Sequence, residues 1–208
     1  KISMDPAMNW KRIKPSHLFL NFFATHTPIC NFGWKAVSFE LSGVDGNSYD
    51  LASVRGSKGT LLMFICNHCP YVKAIITRLV EDVKVLQDEG IGVAAIMPNA
   101  TELVEADSVD NMKIFAETHG FTFPYLIDET QEFSLAYDAV CTPDFFGFNA
   151  DDELQYRGRL DEASLEPANR ETRRELLEAM QSIAETGRGP RDQIASMGCS
   201  IKWRAHAN

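Results

Sequence analysis

The 208-residue chain contains no apolar run long enough to cross a bilayer, which excludes a membrane-spanning helix from its sequence. It has no basic cluster beyond Lys11-Arg12 and Arg173-Arg174, and its net charge is -9. That balance excludes an extended nucleic-acid surface, so neither nucleic acid nor membrane is expected among its partners. Cysteine is scarce and odd in number. Cys30, Cys66, Cys69, Cys141 and Cys199 follow no framework spacing, which argues against a disulfide-stapled secreted scaffold and for a reducing, cytoplasmic setting. Internal repeats and low-complexity tracts are absent too, and the 45% hydrophobic content suffices for one globular domain with a proper core.

The ends carry little pattern. Lys11-Arg12-Ile13-Lys14 and the apolar stretch from Leu18 resemble a leader only weakly, since His17 and Asn21 interrupt it and no small-residue cleavage site follows. Residues 1–8 show no periodicity that would place them in a fold. We therefore divide the chain into an irregular extension (1–34), a folded domain (35–186) and a tail (187–208).

Most information lies in Cys66-Asn67-His68-Cys69-Pro70-Tyr71-Val72-Lys73, which follows the apolar run Leu61-Leu62-Met63-Phe64-Ile65. After it, Val72, Ile75, Ile76, Leu79, Val80, Val83 and Leu86 recur at the spacing of one buried helical stripe, and Gly90 ends the helix. Pro70 suits the first helical position, so Cys69 becomes the N-cap, with its sulfur placed to accept from the Tyr71 and Val72 amides. A thiol at that partly positive terminus ionises readily and can act as a nucleophile at neutral pH. Cys66 falls at the end of the strand or in the loop after it.

Elsewhere, Val37, Phe39 and Leu41 alternate into Val44-Asp45-Gly46-Asn47, predicting a hairpin, and residues 51–56 read as one helical turn. Apolar runs at 60–65 and 91–97 flank the long helix, which implies a parallel strand pair. Ser108 caps a helix that stops at Gly120, a short strand covers 125–127, and Thr130 caps a further helix. Segments 144–148 and 154–160 predict an antiparallel hairpin, making the sheet mixed, and a last helix spans 169–186.

This order of elements, the cysteine pair at the strand–helix junction and Val140-Cys141-Thr142-Pro143 together resemble the thioredoxin superfamily over most of the chain. Phe123-Pro124-Tyr125-Leu126-Ile127-Asp128-Glu129, Cys141-Thr142-Pro143-Asp144-Phe145-Phe146 and Gly198-Cys199-Ser200-Ile201-Lys202-Trp203 are similar to a bacterial peroxiredoxin-like group. That group is classed with the alkyl hydroperoxide reductase and thiol-specific antioxidant proteins. The resemblance implies an α/β, thioredoxin-like fold: a mixed central sheet flanked by helices, with an N-terminal β-hairpin extension.

It also implies roles. Cys69 aligns with the first thioredoxin cysteine and Val72 with the second, so the site resembles a glutaredoxin site missing one sulfur. In peroxiredoxin register the peroxide-reactive cysteine falls on Val72, the family threonine on Cys69 and the arginine near Thr142-Pro143, so that triad is absent. Pro143 takes the place of the family's cis-proline, and the Thr142 backbone is placed to pair with an extended substrate segment. Met63 stands where thioredoxins bury a carboxylate, leaving His68 or water as proton acceptor.

The reading is a thiol-based oxidoreductase with antioxidant or thiol–disulfide chemistry. Cys69 is the solvent-accessible attacking thiol, Cys66 its partner, and His68, Pro70, Thr142 and Pro143 support them; Cys199 and Cys141 are alternative resolving thiols. The substrate is a protein or small-molecule disulfide, or a peroxide, and a thiol donor supplies electrons; a homo-oligomer is compatible with the sequence. Cys141 reads equally as a small buried residue. A redox-silent binding module and a non-standard thiol peroxidase are the alternatives. A zinc or iron site built from Cys66, Cys69 and one of His68, Cys141 or Cys199 lacks a second close pair, so no metal or cofactor is expected.

Overall fold

The computed structural model describes residues 24–205. Residues 1–8, and all of the leader-like run except its last residue Ala24, lie outside them. The strands are β1 (Ala24–His26), β2 (Glu40–Gly43), β3 (Ser48–Asp50), β4 (Gly59–Phe64), β5 (Ile91–Met97), β6 (Tyr125–Ile127), β7 (Cys141–Thr142), β8 (Asp144–Asn149), β9 (Leu154–Tyr156) and β10 (Met197–Ser200). The α-helices are α1 (Leu51–Val54), α2 (Pro70–Asp88), α3 (Val109–His119), α4 (Glu132–Ala136) and α5 (Glu175–Thr186), with a 3₁₀ turn at Glu105–Asp107.

Seven strands form a mixed sheet in the order β3-β2-β6-β5-β4-β8-β9. The β4–β5 and β5–β6 pairs are parallel, while β8 runs antiparallel to β4. Alternation along the central strands divides the core. Leu61, Met63, Val93, Ala95 and Phe145 face α2 and α5, whereas Leu62, Phe64, Ala94, Ile96, Phe146 and Phe148 face Leu51, Val54, Phe133 and Tyr137 of α1 and the α4 region. Each fully buried Val, Leu, Ile, Met or Phe side chain among them contributes about 1.5–3 kcal/mol. Helices thus cover both faces, which is why β4 reads as an unbroken apolar run.

The hairpin expected near residues 37–50 is β2–β3, at one edge of the sheet. Its first strand starts at Glu40 rather than Val37. The 130s helix begins one residue late: Gln131 occupies the N-cap in left-handed conformation, and the Thr130 hydroxyl accepts from the Glu132 amide at 3.3 Å. A larger correction concerns the last helix, which begins at Glu175 and not at 169. Asn169 and Thr172 satisfy neighbouring backbone groups instead, through Asn169 N to Thr172 Oγ1 at 2.8 Å and Glu171 N to Asn169 Oδ1 at 2.8 Å. Such local bonds compete with helix.

A second, three-stranded sheet has the order β1-β10-β7. It joins a segment from the N-terminal extension and one from the C-terminal tail to the residues just before Pro143. This small sheet covers the site.

Candidate active site

β4 delivers the chain to the site. Ile65 N still donates to Ile96 O at 3.0 Å, after which the backbone leaves the sheet and Cys66 to Cys69 form the connection to α2. Cys69 is the N-cap, with φ -64° and ψ 122°, and Pro70 occupies the first turn. No side-chain hydrogen bond of ordinary geometry closes the helix N-terminus, although the Val72 amide still favours the ionised Cys69 sulfur. The Cys69 sulfur is drawn instead to Thr142 O, 3.1 Å away. Cys66 lies beside it, its Sγ 3.1 Å from Thr142 Oγ1. The Thr142–Pro143 peptide is cis.

The thiols are electrically unequal. A hydrogen bond from Cys66 is the main influence lowering Cys69; burial opposes it, and the Val72 amide and the thiol and amide of Cys199 assist, bringing Cys69 from 9.0 to about 5. Ionisation turns the Thr142 carbonyl from an acceptor of the thiol proton into a repulsive neighbour, so those donors must outweigh it. Burial pushes Cys66 well above 9.0, reinforced by its bond to Cys69 and by the Asp107 charge. Burial likewise raises Cys199 to about 12. Cys141 is also raised by burial, and its thiol points to Pro143 O at 3.6 Å. One thiolate among protonated thiols is the arrangement a nucleophile with a resolving partner requires.

One expectation fails. Cys69 is 0% exposed, not open to solvent. The cover is β10, whose Cys199 is aligned with Thr142 in the antiparallel pairing with β7. The sequence placed Cys199 on a tail and not on a strand, because the pairing joins segments more than fifty residues apart. The atoms around the sulfur are polar or polarisable rather than purely hydrocarbon, and it stays directed at the Thr142–Pro143 loop.

Asp107 is the residue that sequence reasoning missed. It comes from the 3₁₀ turn, is 0% exposed, and gathers the connecting loop. Its Oδ1 accepts from the Asn67 and His68 amides at 2.9 and 3.3 Å; its Oδ2 contacts His68 Nδ1 at 2.7 Å and accepts from Asn99 Nδ2 at 2.8 Å. His68 is thereby turned toward Asp107, and the donors that lower Cys69 are the others. Tyr125 adds a bond to Asn67 Oδ1 at 3.0 Å. Beneath the Pro143 loop, Arg157 donates to Asp144 Oδ2 at 2.8 Å and to Asp138 O at 2.7 Å; burial raises Asp144 to about 6 against the pull of Arg157. The sole advance signal for either carboxylate is an acid in an otherwise apolar or turn context.

Cys66, His68 and Asp107 are close enough to share a cation, their ligand atoms lying within 4.8 Å of one another. Asp107 already accepts or shares four hydrogen bonds, two at each oxygen, so a cation would compete with the contact to His68 Nδ1, and the grouping excludes Cys69. The site therefore fits thiol chemistry better than metal binding. A cavity of about 150 Å³ adjoins Pro143 and is lined by Tyr71, Ile75, Leu160 and Met197 among others. A larger one of about 520 Å³ lies by the start of α5 and has no thiol in its wall.

Residues 32–157 match the model of the AhpC/TSA family. A conserved protein of known structure from Geobacillus kaustophilus is 41% identical, with a TM-score of 0.84 over 90% of this chain and 100% of that one. Another, from Sinorhizobium meliloti 1021, is 31% identical with a TM-score of 0.82 over 87% and 99%. The thiol-disulfide oxidoreductase ResA of Geobacillus thermodenitrificans is 29% identical over 129 residues, which are 62% of this chain and 69% of ResA.

Proposed function

The chain belongs to the AhpC/TSA family, and we propose that it is a thiol–disulfide oxidoreductase in which Cys69 attacks and Cys66 resolves. The observation that carries this reading is geometric: at the N-terminus of α2 the Cys66 and Cys69 sulfurs each lie 3.1 Å from Thr142, one at its hydroxyl and the other at its carbonyl, an arrangement that favours one ionised sulfur beside a protonated one. The Cys69 thiolate attacks a substrate disulfide, forming a mixed disulfide and releasing one thiolate that takes up a proton. Cys66 then loses its proton and attacks the Cys69 sulfur. The second substrate thiol leaves, the protein holds a Cys66–Cys69 disulfide, and two electrons have passed to the substrate. Two equivalents of an external thiol, or one dithiol, reduce that disulfide and leave as a disulfide themselves, which returns the protein to its starting state.

The ResA relatives and the Thr142 edge favour disulfide substrates. Peroxide chemistry in the usual register has no sulfur to use, because Val72 fills that position and is fully buried. We assign the work to the cytoplasm, where thiols are kept reduced, with any antioxidant effect following from thiol exchange. Disulfide mapping by mass spectrometry after one equivalent of a disulfide-bridged peptide tests the scheme. The native chain should hold a Cys66–Cys69 bond and Cys69→Ser should hold none involving Cys66. Five thiols left intact in the native chain would instead favour a redox-silent binding module.

A further inference from the structure

The edge of β7 beside Pro143 is already occupied. β10 lies antiparallel along it, with Cys199 opposite Thr142 and Ser200 opposite Cys141, and β1 flanks the other side of β10. The approach is close enough to require glycine. A Cβ added at Gly198 would overlap the Thr142 carbonyl and come within 3.0 Å of Pro143 N. Ser196 fixes the entry: its hydroxyl donates to Pro143 O at 2.8 Å, and its carbonyl accepts from Thr27 N at 3.0 Å. Beyond the strand, Ile201 N donates to Val140 O at 3.2 Å and Lys202 N to Asn99 Oδ1 at 2.8 Å. The strand therefore fits and is fastened at both ends. It also buries the sulfur that the proposed chemistry needs.

We propose that β10 is a displaceable occupant of the edge on which an extended, disulfide-bearing polypeptide pairs, and that its release uncovers Cys69. This rests on Cys69 being the attacking sulfur. Cys199 holds the place of the substrate's own sulfur, and the tail acts as a built-in mimic of the substrate strand. At Thr142 itself an incoming strand takes over the backbone hydrogen bonds that β10 gives up, whereas the ties at Ser196 and Ile201 are lost on release and hold the resting state closed. A small disulfide offers no such replacement and must wait for spontaneous opening. A polypeptide disulfide is therefore the favoured substrate class, and the resting protein shields its thiolate from other oxidants.

Gly198→Ala tests this without altering any sulfur. In the reduced full-length chain, Cys69 labelling by iodoacetamide, followed by peptide mass mapping, should accelerate about tenfold or more, equivalent to roughly 1.4 kcal/mol in the opening equilibrium. Equal rates in a folded variant, or native labelling as fast as in urea-unfolded chain at about pH 10, where the unfolded thiol is ionised as well, would overturn the proposal. Should Gly198→Ala fail to fold, hydrogen exchange on the Cys66→Ser chain decides. Trapped as a Cys69 mixed disulfide with a cysteine peptide, it should lose amide protection at residues 197–200. Retained protection there counts against displacement. The two readings fail separately: faster labelling without reduction of any disulfide leaves the gate and removes the oxidoreductase, whereas disulfide reduction with unchanged labelling does the reverse.

Discussion

The N-terminus of α2 and those of α3 and α5 face the same electrostatic problem and resolve it differently. Ser108 caps α3 by accepting from Asn111 N at 3.4 Å, and Asp110 sits in the first turn. The first turn of α5 carries Glu175 and Glu178, which pair with Arg159 and Arg173. In both, fixed side chains answer the partial positive charge of the helix end. α2 has no acid in its first turn and no side-chain cap, and the residue at its N-cap is Cys69. Its terminus is left for a charge that can appear and disappear. The first two ends serve stability, and the third serves a thiolate.

The contrast is broken most severely by Cys69→Ser. Disulfide exchange should fall to background while the far-ultraviolet circular dichroism spectrum is retained. The same variant checks the linkage between charge and folding. Because the folded-state pKa of Cys69 lies below its ordinary value, its ionisation stabilises the fold fully above pH 9 and is lost as pH falls through about 5. The stability difference between native and Cys69→Ser, from urea melts, should therefore widen from pH 5 to 9. Next in size is Cys66→Ala, which removes the principal donor to Cys69. Its thiolate titration should move upward toward 9, read by the pH dependence of Cys69 ultraviolet absorbance.

At the structural ends the expectation reverses. Ser108→Ala should cost about 0.5–2 kcal/mol in urea melts and leave the Cys69 titration unchanged. Smallest is Lys73→Glu, which gives α2 the acid its neighbours already have. An exposed charge near a helix end is worth about 0.3–1 kcal/mol, so the Cys69 pKa should rise by roughly 0.2–0.7. A shift as large as that from Cys66→Ala would mean that the helix end, and not the thiol pair, governs ionisation.

The difference between local and distant information also explains what the sequence made legible. β5 and β6 begin and end where their apolar runs do, and Ser108 and Gly120 bound α3 as read, because those signals lie within a few residues of the structure they specify. The pairing of Cys66 with Cys69 was visible for the same reason. Asp107 was not, since it acts on a loop forty residues away and no periodicity marks it. β10 was hidden too: four residues containing a glycine carry no strand pattern, and its partners are Cys141–Thr142 and Ala24–His26. Missing β10 produced the error about exposure. The sequence reads Cys69 as solvent-accessible because the chemistry assigned to it needs access, and a distant strand covers it.

Whether Cys69 is ionised in the resting protein is read directly from thiolate absorbance against pH, with Cys69→Ser as the blank. An inflection near pH 5 is expected. An inflection near 9, the ordinary thiol value, contradicts ionisation at rest.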